Sequence, residues 1–470
     1  MTLLSPRRAF RSDLRRPYAG AEKAVCGQSV PLSTKIFLFV GFLILSGALQ
    51  RPIGGDVIEG TPTAGIAIES NFAMAVVGMI FYAWCGVYAL RYFDRVKVPT
   101  SALPLVYVAA LALASTIWSE MPILTLTRAA GVAGCTLFSL VALSMVDTGE
   151  MRRMLENFSI FLIAVTAVVA VTSPGYAFHS DTDIFVRHAG LLRGTFIHKN
   201  SLARVLCLLV VILYYAIDRS RTFGILKWSA IILGVGMLAA TDSAKIAVSM
   251  PLGIVAAHIL TKLGNSTFRY AAVGFVVIAI ATVSFTGLAE ALLSGTAEAV
   301  GRDATFSGRT LIWQAAIEDA LKSPILGSGY AAAWPTSTGL AVWRALGFDP
   351  GHAHNGYIMT IVDLGLVGVA LMGFFLASAF IRLMGRQSGG DDALLKFQFA
   401  WFFVFVANNM AGSFMVQSSD IYWFTLVIMA GFLDKAVKPI TPRFAISGNG
   451  PFGTGRHRSA SPSNSGGAFP

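Results

Sequence analysis

An all-α, polytopic integral membrane protein with about twelve transmembrane helices is the fold class that the sequence predicts, on three observations. Of the 470 residues, 55% are hydrophobic and only 13% charged, too few charges to cover a soluble surface of this size. The mean hydropathy is +0.66. The apolar residues gather in blocks of about 15–25, the length a helix needs to cross a hydrocarbon core ~30 Å thick. Lipid offers the backbone no partners and the short alternating pattern of a barrel is absent, so the blocks read as helices.

The blocks run near 36–50, 72–90, 103–118, 124–146, 157–172, 202–217, 225–240, 246–260, 270–290, 357–381, 396–414 and 420–433. Residues 1–34 carry Arg7, Arg8, Arg11, Arg15, Arg16 and Lys23 among Ser, Pro and Gly, and read as a basic cytoplasmic tail. A transmembrane domain over 35–440 follows, then a Gly/Ser/Pro-rich tail over 441–470 that reads as disordered. Ser46, Gly47 and Ala48 at the end of the first block imitate a signal-peptidase site, but eleven further blocks favour a retained signal anchor. Cys85, Cys135 and Cys207 sit inside blocks and Cys26 in the tail. No loop holds two cysteines, so the spacing indicates neither a disulfide framework nor a thiolate metal site.

Threading the blocks sorts the loops into two sets. Of 36 Lys and Arg, 25 fall in the tails and the loops on the N-terminal side and nine on the opposite side, with Arg128 and Arg204 inside block ends. That asymmetry puts both termini in the cytoplasm, and it explains the net charge of +11 without nucleic acid. Seven of the nine outside cations fall in two long loops: Arg187, Arg193 and Lys199 in 173–201, and Arg302, Arg309, Lys322 and Arg344 in 291–356. Five of the seven histidines share these loops, namely His179, His188, His198, His352 and His354. Basic residues oppose insertion when placed outside, so their concentration there suggests an anionic ligand; the plainer reading is that long loops cross regardless of charge.

Within the larger loop, a helix is expected from Ser307 to about Leu321, ended by Pro324 and the turn glycines Gly327 and Gly329. Ser307 can cap it, and Arg309 then lies in its first turn, beside free N–H groups that favour anions. A guanidinium matches phosphate oxygens with a fork that Lys lacks; the alternative is a structural pair with Asp303 or Asp319. In Gly351-His352-Ala353-His354-Asn355-Gly356, a neutral His354 at the membrane surface can take a proton from a sugar hydroxyl. A metal held by His352 and His354 is the rival chemistry, but a lone H-x-H is a weak metal site. Asp363 lies one or two turns into the following block, a functional candidate or a helix-holding carboxylate. In the smaller loop Asn200 or Ser201 can cap the next helix, leaving Lys199 beside its positive end, a poor place for a cation without an anion. Lys245 lies in a short turn where Asp242 can neutralise it.

These segments resemble the O-antigen ligase and polysaccharide polymerase superfamily, most closely the exopolysaccharide polymerases of Gram-negative bacteria. His354-Asn355, nine residues, then Gly365-Leu366-Val367-Gly368 is similar to that family's His-Asn…Gly-x-x-Gly signature. Arg187-His188-Ala189-Gly190-Leu191 resembles its Arg-x-x-x-Leu pattern, and Gly194–Asn200, Ser307–Trp313 and Pro324–Tyr330 resemble further family segments. The resemblance covers roughly 180–415, with Asp363 where members often carry Glu and Lys245 where they frequently carry Arg.

The resemblance implies a GT-C-type glycosyltransferase without metal or cofactor, using an undecaprenyl-diphosphate-linked oligosaccharide at the periplasmic face of the inner membrane. Arg187 and Arg309 would hold the diphosphate, with Arg193, Arg302 and Lys245 in support, while His354 acts as general base. His198, Lys199, Asn355, Asp363 and Trp313 would complete the substrate-binding surface. Membrane lipid, polysaccharide export and chain-length proteins are the implied partners. A ligase passing glycan to lipid A core or protein shares this site. From other classes, a transporter of polysaccharide or lipid-linked sugar would show internal repeats and buried midplane charges, which the sequence does not display, and a scaffold in a glycan assembly complex would make His354 dispensable.

Overall fold

The computed structural model describes residues 30–54, 72–181, 188–263, 266–285, 307–346, 351–386 and 392–435. Every element among them is helical, apart from one isolated bridge between Phe178 and Leu192. In order these are α1 (Leu32–Ser46), α2 (Gln50–Gly54), α3 (Phe72–Arg91), α4 (Leu103–Ala114), α5 (Pro122–Met145), α6 (Thr148–Thr172), α7 (Pro174–Ala177), α8 (Lys199–Tyr214), α9 (Arg221–Ala240), α10 (Ala244–Lys262), α11 (Ser266–Phe285), α12 (Ser307–Ala320), α13 (Ser337–Leu346), α14 (Gly356–Met384), α15 (Asp392–Ala411) and α16 (Ile421–Lys435). Each of the twelve predicted blocks falls on a helix. Eight of the helices (α3, α4 with its flanking turns, α5, α6, α9, α10, α14 and α15) are long and apolar enough to cross a membrane. The tails, residues 55–71 and residues 286–306 lie outside the described residues.

Boundaries shifted where polar residues continue a helix beyond its apolar block. The sixth helix starts at Thr148 rather than near 157, because Asp147 caps it by accepting from the Glu150 N–H at 2.8 Å. Its polar first turns lie at one end of the bundle, where Lys35 meets Glu150 at 3.0 Å. The same end gathers Arg219–Glu156, Lys227–Asp218 and Arg382–Asp434.

Helices in lipid gain little from apolar burial, so close van der Waals packing holds them together. Phe37, Phe42, Phe81, Phe138, Phe158 and Phe424 pack ring on ring between α1, α3, α5, α6 and α16, four pairs edge to face and two stacked. Along α10 and α15 the backbones nearly touch: a Cβ on Gly253 would lie 2.8 Å from the Ala400 carbonyl oxygen. Ser249 donates to Asn408 across that contact at 2.9 Å.

At the other end, α14 is broken. Gly365 takes φ +63, and the chain Pro324–Gly329 fills the break. Ser328 N–H donates to Val362 O (3.0 Å) and Gly329 N–H to Asp363 O (3.1 Å). In return Leu366 N–H donates to Pro324 O (2.8 Å) and Val367 N–H to Ile325 O (3.2 Å). Every backbone group freed by the kink that these bonds reach is satisfied, as a span in lipid requires. Gly327 and Gly365 make the approach possible: a Cβ on Gly365 would lie 2.6 Å from Gly327 N, and one on Gly327 2.5 Å from Asp363 C. The G-x-x-G signature is thus a docking seat for the larger loop.

Candidate active site

The smaller loop is built around the start of α8. His198, not Asn200 or Ser201, is the N-cap, its Nδ1 accepting from the Asn200 N–H at 3.0 Å. An imidazole nitrogen replaces the carboxamide or hydroxyl oxygen expected there. His179 Nε2 accepts the Lys199 N–H at 3.2 Å, a second free amide of the first turn. These bonds bring His179, His188 and His198 into a triangle with ring centroids 5.9, 5.6 and 5.0 Å apart. From α2, the buried Arg51 lies over the Tyr176 ring at 3.8 Å and donates to Tyr176 O (2.7 Å) and Gly194 O (3.1 Å). Arg51 is therefore a clamp on this loop. Arg193 is buried, its N–H held by Ala177 O at 2.8 Å.

Lys199 turns from the positive helix end to the α9–α10 turn. Its Nζ donates to Asp242 O at 3.2 Å and stands 3.9 Å from the Asp242 carboxylate. Asp242, considered for Lys245, is thus a partner of Lys199. Ser243 donates to Asn200 Oδ1 at 2.5 Å, which fixes the turn that carries Lys245.

The larger loop supplies the facing wall. The expected helix forms as α12 with Arg309 as its third residue. Asp319, one proposed partner of Arg309, is taken up instead by Lys322 (2.8 Å), Ser337 (2.8 Å) and Thr338. Burial pushes the Asp319 carboxyl up, but these hydrogen bonds outweigh it and hold it below the usual range. Trp313 Nε1 donates to Ala353 O at 2.9 Å, tying α12 to the turn before His354. His354 itself has φ +51, a conformation uncommon for a side-chain-bearing residue, and its N–H donates to His352 Nδ1 at 3.0 Å. Asn355 caps α14, its Oδ1 accepting from Tyr357 and Ile358 N–H at 3.0 and 3.2 Å.

The α15–α16 turn supports this wall from below. Ser413 Oγ accepts the Asn355 N–H at 3.2 Å and stands 3.4 Å from His352 Nδ1. Asp363, also buried, lines a small cavity with Ser413, Thr360 and Tyr330. Asp420 closes the turn by accepting from Arg204 Nη2 at 2.6 Å, with the guanidinium over Phe414 and Tyr422 at 4.5 and 4.7 Å. The sequence reading passed over Ser413, Asp420 and Arg51. Arg204 inside an apolar block was the available signal, because a charge there needs a named partner.

The two walls meet at His354. Burial pushes its imidazole down to about 2, and the neighbouring His352, Lys245, Arg309 and His198 add to the effect. Burial likewise lowers His198 to about 3, helped by His188, His179, Lys199 and His352. Both rings are neutral at ordinary pH. Of the residues expected at the site, Arg309, Lys245 and His198 act on His354. Lys199, Asn355 and Trp313 brace neighbouring segments, Arg193 and Asp363 are buried, and Arg187 and Arg302 lie outside the described residues.

A multispan helical protein with cations and histidines gathered at one end is the class that this geometry defines. Residues 228–373, from α9 into α14, match the family described as O-antigen ligase, and that stretch contains Lys245, Arg309, Trp313, His354 and Asp363. The chain is also similar to the exopolysaccharide production protein ExoQ of Rhizobium meliloti (strain 1021), 28% identical over 295 residues. That match covers 58% of this chain and 63% of the relative's length. The resemblance to the O-antigen ligase and polysaccharide polymerase superfamily is borne out.

Proposed function

We propose that the protein is a glycosyltransferase that joins undecaprenyl-diphosphate-linked oligosaccharide repeat units into an exopolysaccharide at the periplasmic face of the bacterial inner membrane. The observation that carries this reading is the convergence on His354 of two cations and a neutral imidazole from three separate segments: Lys245, Arg309 and His198. Such a cluster is costly to assemble unless an anion joins it, and a diphosphate on a lipid is an anion delivered at membrane depth. The shortness of α8 fits lateral delivery: its 16 residues rise about 24 Å, so its His198 end is no higher than the rim of a ~30 Å hydrocarbon core.

Arg309 and Lys245, with Arg187, neutralise the diphosphate as the anomeric C–O bond breaks, an electrostatic role worth several kcal/mol. The acceptor hydroxyl oxygen bonds to the anomeric carbon, its proton passes to His354, and the electron pair leaves with the diphosphate. The neutral state of His354 leaves its ring able to accept a proton, and a bound diphosphate offsets the neighbouring cations that depress its basicity. The residues carry the chemistry without a metal or cofactor.

The description of the matched family as O-antigen ligase favours a second reading, transfer of glycan to a separate acceptor. Purified protein in lipid, given polyprenyl-diphosphate repeat units alone, should produce a ladder of elongated glycans. Product only after a separate acceptor is added establishes the ligase, and no transfer in either case removes both.

A further inference from the structure

We propose that the turn 323–329 enters the bilayer, with Ile325 and Leu326 packed against lipid acyl chains of the leaflet on the active-site side. The sequence places this stretch in a long loop outside the membrane. The structure ties it by four backbone hydrogen bonds to residues 362–367 of α14, a span long and apolar enough to cross a membrane. The depth of those residues follows from helix geometry. Arg382 pairs with Asp434 at the opposite end of the bundle, and the 16 residues from Leu366 to Arg382 rise about 24 Å. A hydrocarbon core of ~30 Å that begins near Arg382 therefore still surrounds Leu366.

At that depth the side chains that face outward are apolar. Ile325 is 64% exposed, Leu326 40% and the adjoining Leu366 57%. In water such a cluster beside a kinked span gains nothing; in lipid it replaces the side chains that an unbroken helix would present. The chemistry changes along the turn in the order insertion demands. Lys322 and Ser323 are exposed and polar, Pro324 brings no N–H, Ile325 and Leu326 are apolar, and Gly327 and Gly329 are buried against α14 and Ser119. Irregular backbone survives in hydrocarbon only where its polar groups are satisfied internally, and the reciprocal bonds to α14 meet that demand. The partner is thus bulk lipid, and the inference stands whether or not the sugar chemistry is as proposed.

The test uses the native chain in nanodiscs made with a phospholipid bearing a photoactivated diazirine in its acyl chain. Labelling of the peptide spanning 321–330 is expected, alongside labelling of α9 and α14. Labelled spans with that peptide unmarked overturn the inference. A second measurement places a nitroxide at Ile325→Cys and, as a control, at Gln314→Cys, in a variant with Cys26, Cys85, Cys135 and Cys207 replaced. The label at 325 should be several-fold more accessible to oxygen than to a water-soluble nickel chelate, with the opposite ratio at 314. Equal access of the chelate to both positions also overturns it.

Discussion

The two walls around His354 are stabilised in different ways. The smaller-loop wall is built on imidazole caps and one arginine: His179 and His198 satisfy free amides at the start of α8, and Arg51, from α2, binds two carbonyls within a few residues of them. The larger-loop wall is held by a docked turn, since Trp313 donates to Ala353 O and the turn 323–329 seats in the break in α14. Its key imidazole also sits at a positive φ. The wall that holds the proposed base and Arg309 is therefore the one that carries positive-φ backbone at His354 and Gly365, an arrangement that suits a preorganised site. The other wall is scaffold that lends charge.

That contrast can be broken from the chemical side first. His354→Ala should lower transfer by roughly 10²–10⁴-fold, the span of general-base catalysis, while binding of the lipid-linked donor persists; strong residual activity at equal expression would remove His354 as the base. Arg309→Lys keeps the charge and loses the fork, and should lower kcat by about 10²-fold, read from polymer length and rate. Near-normal polymer in that variant would argue for a structural Arg309.

The support of the larger-loop wall predicts a stability effect. Gly365→Ala places a methyl against the Ile325 carbonyl at positive φ, and should cost about 1–3 kcal/mol in thermal unfolding in lipid, with loss of activity. Arg51→Met on the other wall should also destabilise, but leave the pH dependence of transfer unchanged. Smaller still, Trp313→Phe removes one hydrogen bond to Ala353, worth about 0.5–1.5 kcal/mol, and should lower activity less than tenfold.

The last expectation is an absence of effect. With His354 near 2 and His198 near 3 in the folded protein, neither charges between pH 5 and 8. The profile of kcat/KM, which reports the free enzyme, should show no acidic limb near 6.5. Stability behaves otherwise. The unfolded chain takes up protons on these histidines as pH falls through ~6.5, so the folded state keeps its full advantage above that value and loses it progressively below. Unfolding midpoints measured from pH 8 to 5 should therefore decline while the activity profile stays flat.

Much of this was legible in order along the chain. A block of apolar residues needs no partner to declare itself a span, because the solvent it must match is uniform, and all twelve blocks lie on helices. The segregation of Arg and His into two loops was legible for the same reason, since charge is a property of each residue alone. The first turn of α12, with Arg309 in place, followed from local signals. The N-cap of α8 did not, because choosing His198 over Asn200 needs the position of a ring.

Composition and spacing determined the class of protein, the order of its apolar helices and the residues on which its chemistry should be sought. Only the tertiary structure decided that Gly327 and Gly365 let a loop dock into a broken helix, that Arg51 is a clamp and Asp242 a partner of Lys199, and that His198, Lys245 and Arg309 act on one imidazole. Helix formation is decided within a few turns by each segment and the lipid around it, whereas a site is decided by distances between segments that are far apart in sequence.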